Sequence, residues 1–528
     1  MLTLKQMIEF HTDQLANRGF MMEEIEYSKN PNRIVTAQLT TSQLLGSDVP
    51  AFLYKFLVIL KHKTIFGLVA ALTAGWAVSQ LITSPLLGPK GVAFIATLAA
   101  GIVLWVSETF DDYVVGLLVF LSWIVLGVAT PNIALSGFAT ESWFFLVAAL
   151  GITATVSRSG LFKRMALRLL LRVPPTYQKT YGMLLFMSGI LLTPLIPTAK
   201  GRVTLMTPMV NAITCAVGFK ARSSRSAALN LAAYLGIGQM SFLFLTGDTA
   251  ILGAWSLLPP MARSEFGWMT WALAAFPLGV VICIISLVTL HLMFSPNAED
   301  AGSPVVSLTS VQNSLTDMGY LKRDEWLSIG ILAIALGGWV SNSIHGIGET
   351  WIATGAFLIA LVTGAIDKET LQKDIDWSFV LFFGVICSMG IIADRLKIDI
   401  WLGTLTDPFL SLLVQSPSIF LMATVLIATV VRVFLRKTAS YIFLTLALIS
   451  WAPVVGVHPG ILLLTIVFAA EGWFFQYQDG GYQLFYYTTG GEAFSHRQAR
   501  RLMIVKFAAT FVALLISVPY WRYLGLVR

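Results

Sequence analysis

Two short stretches set basic side chains beside small and hydroxyl residues in otherwise apolar surroundings: IPTAKGRVTLMTP at 196–208 and VFLRKTASY at 433–441. Each carries a Thr-Ala pair next to a lysine, as Thr198-Ala199-Lys200 and as Lys437-Thr438-Ala439, with Arg202 and Arg436 close by. An ammonium is a compact cation with three donors, suited to hydroxyl and carbonyl oxygens, whereas a guanidinium grips a carboxylate, sulfonate or sulfate bidentately. In a hydrocarbon layer such a group costs at least about 2.5–3.5 kcal/mol at a helix centre unless paired or hydrated. Four neighbouring cations, Lys200, Arg202, Arg436 and Lys437, therefore require an anionic partner. Asp248 and Glu492, in the loops TGDTA (246–250) and TGGEA (489–493), are internal candidates, and a bound anion is the other.

These motifs recur in the same order. Thr198 to Thr246 is 48 residues, and Thr438 to Thr489 is 51. A run with SWFFLVAALGI (142–152) precedes the first basic motif, and one with DWSFVLFFGVI (376–386) precedes the second. The pattern gives a candidate binding set of Thr198, Ala199, Lys200, Thr246, Gly247, Asp248, Arg436, Lys437, Thr438, Ala439, Thr489, Gly490 and Glu492. In this reading a lysine ammonium holds the hydroxyl and backbone carbonyl oxygens around it, Arg436 grips the anion, and Asp248 or Glu492 carries a proton beside the lysine. The plainer reading of Arg202 and Arg436 is that they point away from the site. Arg432, one helical turn before Arg436, is expected to share its face.

The surrounding elements follow from composition. The chain has 528 residues, 56% hydrophobic and 12% charged, roughly half the charged share of a soluble protein. It holds about 11 apolar runs suited to a ~30 Å hydrocarbon layer, each near the roughly 20 residues a helix needs. This describes an all-α polytopic membrane protein; the short alternating segments of a β-barrel are absent. The runs 180–217 and 416–457 are too long for one crossing and are interrupted halfway by the basic motifs. Each is expected to be a re-entrant hairpin, since non-helical backbone at that depth survives only where it is buried or lines a cavity.

Loop charges orient them. The segment 158–179 holds Arg158, Lys163, Arg164, Arg168, Arg172 and Lys179 with no acid, and its amphipathic pattern suits a cytoplasmic surface helix. GFKARSSRS at 218–226 is also basic, so the first hairpin enters from inside. Asp394, Asp399 and Asp407 outnumber the bases of 394–407, placing the second hairpin's entry outside, and the basic 495–501 returns inside. The expected organisation is a cytoplasmic N-terminal segment 1–60, a first half 61–294, a cytoplasmic linker 295–326 and a second half 327–528. The N-terminus is then cytoplasmic and the C-terminus outside. Residues 1–50 show no apolar signal-peptide core.

Other signals are weaker. Cys215, Cys283 and Cys387 are far apart in apolar segments and read as small core residues. The net charge of +7 reflects basic loops rather than a nucleic-acid partner. Glu141 and Ser142 read as a helix cap. Tyr477, Tyr482, Tyr486 and Tyr487 line a path or form an interfacial belt, and Asp479 with Gly480-Gly481 breaks the tenth span. No phosphate loop, nucleophile elbow or zinc motif argues for an enzyme.

Over residues 65–528 this order of parts resembles the divalent anion/sodium symporter family: a surface helix after the fourth span, two hairpins, and broken fifth and tenth spans. The resemblance implies an inverted repeat built as scaffold plus transport domain, and a homodimer moving its substrate by an elevator-like displacement. It also implies a small anion, often a dicarboxylate or sulfate, coupled to sodium or to counter-anion exchange. The family's hairpin tips carry Ser-Asn-Thr. Here the first tip, placed by Pro208, aligns with Thr198-Ala199-Lys200, and in the second Arg436 and Lys437 stand at the Ser and Asn places. Those places help build the family's sodium sites, so the usual sodium coupling is not expected; exchange, uniport or proton coupling are the alternatives. No cofactor is expected, with a role for sodium left open. The expected partners are a small anion, membrane lipid and a second copy, and the expected location is the plasma or inner membrane. The competing reading is a transport-inactive scaffold or sensor that uses residues 1–60 to bind a partner.

Overall fold

The computed structural model describes residues 51–528 apart from 83–85, 108, 172–177, 195, 197, 218, 295–308, 399–400 and 402–415. Expectations for residues 1–50, Arg172, Asp399, Asp407 and 295–308 of the 295–326 linker lie outside these. The chain divides into Met1–His62, of which only residues 51–62 are described, as helix, and Lys63–Arg528, which holds everything discussed below.

Among the described residues the regular elements are helical, with a single isolated bridge pairing Val457 and Val527. The first half contains α1 (Ala51–Leu81), α2 (Gly88–Val106), α3 (Asp112–Val125), α4 (Glu141–Ser159), α5 (Leu161–Leu171), α6 (Gln178–Leu192), α7 (Ala199–Val217), α8 (Ser224–Gly238), α9 (Thr249–Ser256) and α10 (Trp268–Met293). The second contains α11 (Arg323–Val340), α12 (Glu349–Val362), α13 (Trp377–Arg395), α14 (Pro417–Phe434), α15 (Lys437–Leu448), α16 (Pro459–Ala470), α17 (Gly480–Thr488) and α18 (His496–Tyr523). Seven of the described helices are long and apolar enough to cross a membrane, and four more are apolar but shorter.

Local sequence explains the boundaries that matter here. Thr140, rather than Glu141 or Ser142, caps α4 by accepting from the Trp143 N–H, and Gly160 ends it in the left-handed region at φ 81°. The chain then enters α5 directly. Its Leu161, Phe162 and Leu167 are buried while Lys163 and Arg168 are exposed, as an amphipathic surface helix requires. Arg164 is the exception. Its buried guanidinium holds Glu325 through two bonds of 2.6 and 2.9 Å and also donates to the Met318, Gly319 and Tyr320 carbonyls.

Two helix-turn-helix pairs, α6–α7 and α14–α15, carry the basic motifs at their turns. α6 and α8 cross at Gly189 and Gly236, where a β-carbon on either would strike the other helix's backbone; small residues at such a crossing let the backbones approach. Two interruptions complete the plan. α8 stops at Gly238, passes through the 3-10 turns Ser241–Leu243 and Leu245–Gly247, and resumes as α9, capped by Asp248. α16 stops at Ala470, passes through the turn Gln476–Gln478, and resumes as α17, capped by Asp479. The packing is crossed: α7 lies against α8 of its own half and α17 of the other, while α15 lies against α16 and α9.

Candidate ion and substrate site

The two interruptions leave carbonyl oxygens without helical partners in the interior, which is costly unless donors reach them. One guanidinium serves each. Arg202 sits one turn into α7 and is 0% exposed. Its Nη1 donates to Ile196 O of the hairpin turn at 2.6 Å and to Gly247 O at 2.7 Å; Nε donates to Ile237 O at 2.7 Å and Nη2 to Ser241 Oγ at 2.7 Å. A β-carbon on Gly247 would collide with the Ser241 carbonyl oxygen, so the first break is tight enough to require glycine there.

Arg432, in the last turn of α14, does the same for the second break. It donates to Leu435 O of its own hairpin turn at 3.2 Å, to Ala470 O at 3.0 Å and to Gln478 O at 2.8 Å. The correspondence is residue by residue. Each arginine takes one carbonyl from its hairpin turn, one from the C-terminal end of the interrupted helix, and one from the residue before the capping aspartate. A cation there also meets the negative end of a helix dipole. Gln478 firms the second cage, since its Oε1 accepts from the Phe474 and Phe475 N–H groups and its Nε2 donates to Arg432 O.

Between the cages lies an ion-pair cluster. Lys437 Nζ reaches Asp248 Oδ2 at 3.1 Å and Glu471 Oε1 at 3.0 Å, so one ammonium ties the second hairpin turn to both breaks. Asp479 Oδ2 accepts from Tyr234 Oη at 3.1 Å and Gln239 Nε2 at 2.9 Å, while Lys506 of α18 donates to Gln239 Oε1 at 2.7 Å. Four largely buried cations, Arg202, Arg432, Lys437 and Lys506, thus face three carboxylates, Asp248, Glu471 and Asp479. The formal charges of these seven groups sum to +1.

The structure brings most of the predicted set to this centre. Thr198 Oγ1 accepts from the Gly201 N–H at the start of α7, which begins at Ala199. Lys200 is exposed and runs beside the start of α17, where a β-carbon on Gly480 would lie 3.3 Å from its Cε. Arg436, also exposed, occupies the N-cap position of α15. Thr438 and Ala439 line a small apolar pocket with Ile102, Trp105 and Phe382. Thr246 Oγ1 donates to Pro194 O at 3.2 Å and accepts from Trp268 Nε1 at 3.1 Å.

Thr489, Gly490 and Glu492 lie elsewhere. They follow the C-terminus of α17, Glu492 is exposed, and its carbonyl accepts from the Arg222 N–H at 2.7 Å beside the basic 218–226 loop. The structural counterpart of Gly247-Asp248 is Gln478-Asp479, because the break and its capping carboxylate define the repeat, not the Thr-Gly pair. The carbonyl-binding role expected of lysine falls to Arg202 and Arg432. Arg432 does not share the exposed environment of Arg436, because α14 ends between them. Glu471, Gln239 and Lys506 had no sequence signal beyond being polar residues inside apolar runs. Tyr482 is buried in an aromatic cluster with Tyr234 and Trp473.

Residues 62–527 match the family described as "Sodium:sulfate symporter transmembrane region". An inner membrane protein, YbhI, of Escherichia coli (strain K12) is 22% identical over 387 residues, covering 69% of this chain and 80% of that protein. The chloroplastic dicarboxylate transporter 1 of Arabidopsis thaliana is 24% identical over 315 residues, 58% of this chain and 56% of that protein. A citrate/succinate antiporter of Escherichia coli (strain K12) is 26% identical over 234 residues, 43% and 46% of the two chains. With its polytopic helices, its paired hairpins and a match across nearly its whole length, the chain belongs to the sodium:sulfate symporter family, whose members are integral membrane transporters and not enzymes.

Proposed function

We propose that this protein is a secondary transporter of small dicarboxylate-like or sulfate-like anions that works without sodium, its two interior cation positions being filled by Arg202 and Arg432. The observation that carries the reading is the matched pair of guanidinium cages. Each joins a hairpin turn to a helix break through backbone carbonyls, the donor atoms a bound sodium would use at an unwound transporter helix. A tethered guanidinium does this permanently, so no ion need arrive with the substrate. The names of the relatives, which include a dicarboxylate transporter and a citrate/succinate antiporter, support the substrate class.

The anion position follows from the four helix N-termini at the centre. Those of α9 and α17 are already capped by Asp248 and Asp479. Those of α7 and α15 have no acid in their first turns, and each stands beside an exposed base, Lys200 or Arg436. Positive helix ends with adjacent cations form an anion site. In this reading the anion bridges the two hairpin turns, and the hairpins move with it in an elevator-type displacement within a homodimer. The basic loops at 218–226 and 495–501 then face the cytoplasm, with the N-terminus inside and the C-terminus outside.

The test is uptake and counterflow in proteoliposomes with labelled dicarboxylates and sulfate, with sodium present or replaced by an inert organic cation. Equal rates are expected. A steep dependence on sodium would overturn the built-in-cation reading, and an absence of transport or exchange across the panel would overturn the substrate class.

A further inference from the structure

A second site lies away from the cages. A cavity of about 690 Å³ opens between α1 and α2 on one side and α15 on the other. Its walls are apolar, with Ile82, Phe94 and Leu98 facing Phe443 and Leu446. Among the described residues its charged and hydroxyl lining comes from two places: the last turn of α13, with Asp394 and Arg395, and the end of α9 with the short helix Pro260–Glu265 after it, with Ser256 and Arg263. Leu257 holds the end of α9 against α13, 3.1 Å from where a β-carbon on Gly390 would be. The far end runs on into the apolar pocket that touches Thr438 and Ala439, the two spaces sharing Leu98, Ile102, Phe443 and Leu446.

This volume is within the range of ligand pockets, roughly 300–1,000 Å³, but its chemistry is wrong for a small doubly charged anion. Beyond the arginine end a carboxylate or sulfate would meet only hydrocarbon and lose its hydration without a partner. Its walls include α1 and α2, the least buried of the membrane-length helices, at 11% and 22%, so this side of the cavity is the one a molecule from the bilayer can reach. Two arginines against one aspartate leave one positive charge at the polar end. We propose that the cavity binds a single-chain amphiphilic anion, a fatty acid drawn from the bilayer. Its carboxylate lies at Arg395 and Arg263, and its chain runs between α2 and α15 toward Thr438-Ala439. A chain there wedges the second hairpin's inner arm away from α2, so occupancy holds the hairpin at its present separation.

The binding test uses purified full-length protein and a photoactivatable hexadecanoic acid, with the labelled peptides mapped, and does not depend on whether the protein transports anything. Labelling is expected within 94–102 and 443–447, and excess hexadecanoic acid should suppress it while uncharged hexadecanol should do so poorly. Leu98→Trp, which fills the cavity, should cut labelling by about tenfold, as the loss of a few buried methylenes would. Arg395→Gln should weaken competition by the acid without altering that by the alcohol, and serves as the second variant if Leu98→Trp does not fold. Labelling spread over lipid-facing positions such as Phe66 and Leu72, unchanged in both variants, would overturn the proposal. So would equal competition by acid and alcohol.

Discussion

The two halves solve the same backbone problem with the same group but close their charges differently. At both breaks a buried guanidinium gathers the carbonyls left by an interrupted helix. At the second hairpin, however, the lysine of the turn crosses to the other half and pairs with Asp248 and Glu471. At the first, Lys200 stays exposed, and the corresponding carboxylate, Asp479, is satisfied by Tyr234 and Gln239. A basic residue at a hairpin turn therefore has no fixed meaning. Lys437 is a structural counter-ion, whereas Lys200 is exposed beside the start of α17.

The sharpest way to break the equivalence of the cages is to empty them in turn. Arg202→Ala and Arg432→Ala each strand at least three buried acceptors at about 1–3 kcal/mol apiece, so each should lower stability by at least about 3 kcal/mol and abolish uptake. Thermal unfolding in detergent should then show stabilisation by sodium over potassium in both variants. A response in one alone would mean that only one cage is shaped for a metal cation.

The lysines test the charge asymmetry. Lys437→Ala leaves two carboxylates in the interior, and breaking a buried pair costs about 3–5 kcal/mol, which unfolding would report. Lys200→Ala should leave the unfolding midpoint unchanged and instead raise the anion concentration for half-maximal uptake by about tenfold, the cost of one charge-assisted contact. Interchanged phenotypes would reverse the assignment of the two turns.

The smallest effect expected is at Asp367, which caps the short helix Lys368–Lys373. Asp367 accepts from Thr370 and pairs with Arg158 of α4 at 2.8 Å. The Thr370 hydroxyl, first, and then its N–H and Arg158 hold the Asp367 carboxyl down to about 2. A folded value below the unfolded one, about 3.9, gives stability that is complete above the unfolded value and lost as pH falls through the folded one. Asp367→Asn should flatten the acid limb by lowering the unfolding midpoint slightly at neutral pH and leaving it almost unchanged below the folded value. An equal shift at all pH values would show that the bond matters but the charge does not.

Much of this was legible in the sequence because it rests on local rules. Apolar runs too long for one crossing, interrupted by basic residues, became helix-turn-helix pairs, and the acid-free segment after the fourth run became the amphipathic α5. Asp479 before two glycines marked the second break. What stayed hidden depended on helix phase and tertiary register. Arg202 and Arg436 stand equally near a hairpin turn in the chain, yet one is buried in carbonyls and the other exposed, because Arg202 is one turn inside a helix and Arg436 precedes one. TGGEA resembled TGDTA in letters, but its glycines end a helix rather than start one, with Gly490 and Gly491 in the left-handed region. Glu471 is an ordinary helix-end glutamate until Lys437 arrives from far along the chain.

The crossed packing of hairpins and breaks has a consequence for how the molecule is made. Asp248 is synthesised 189 residues before Lys437, the ammonium it pairs with. Chains grow from the N-terminus at about 5–20 residues per second, so the first half spends on the order of ten seconds or more in the membrane before that carboxylate can meet its ammonium. Nascent first halves are thus the vulnerable species in biogenesis. Until Lys437 is made, the ion pair that joins the second hairpin to the first break cannot form.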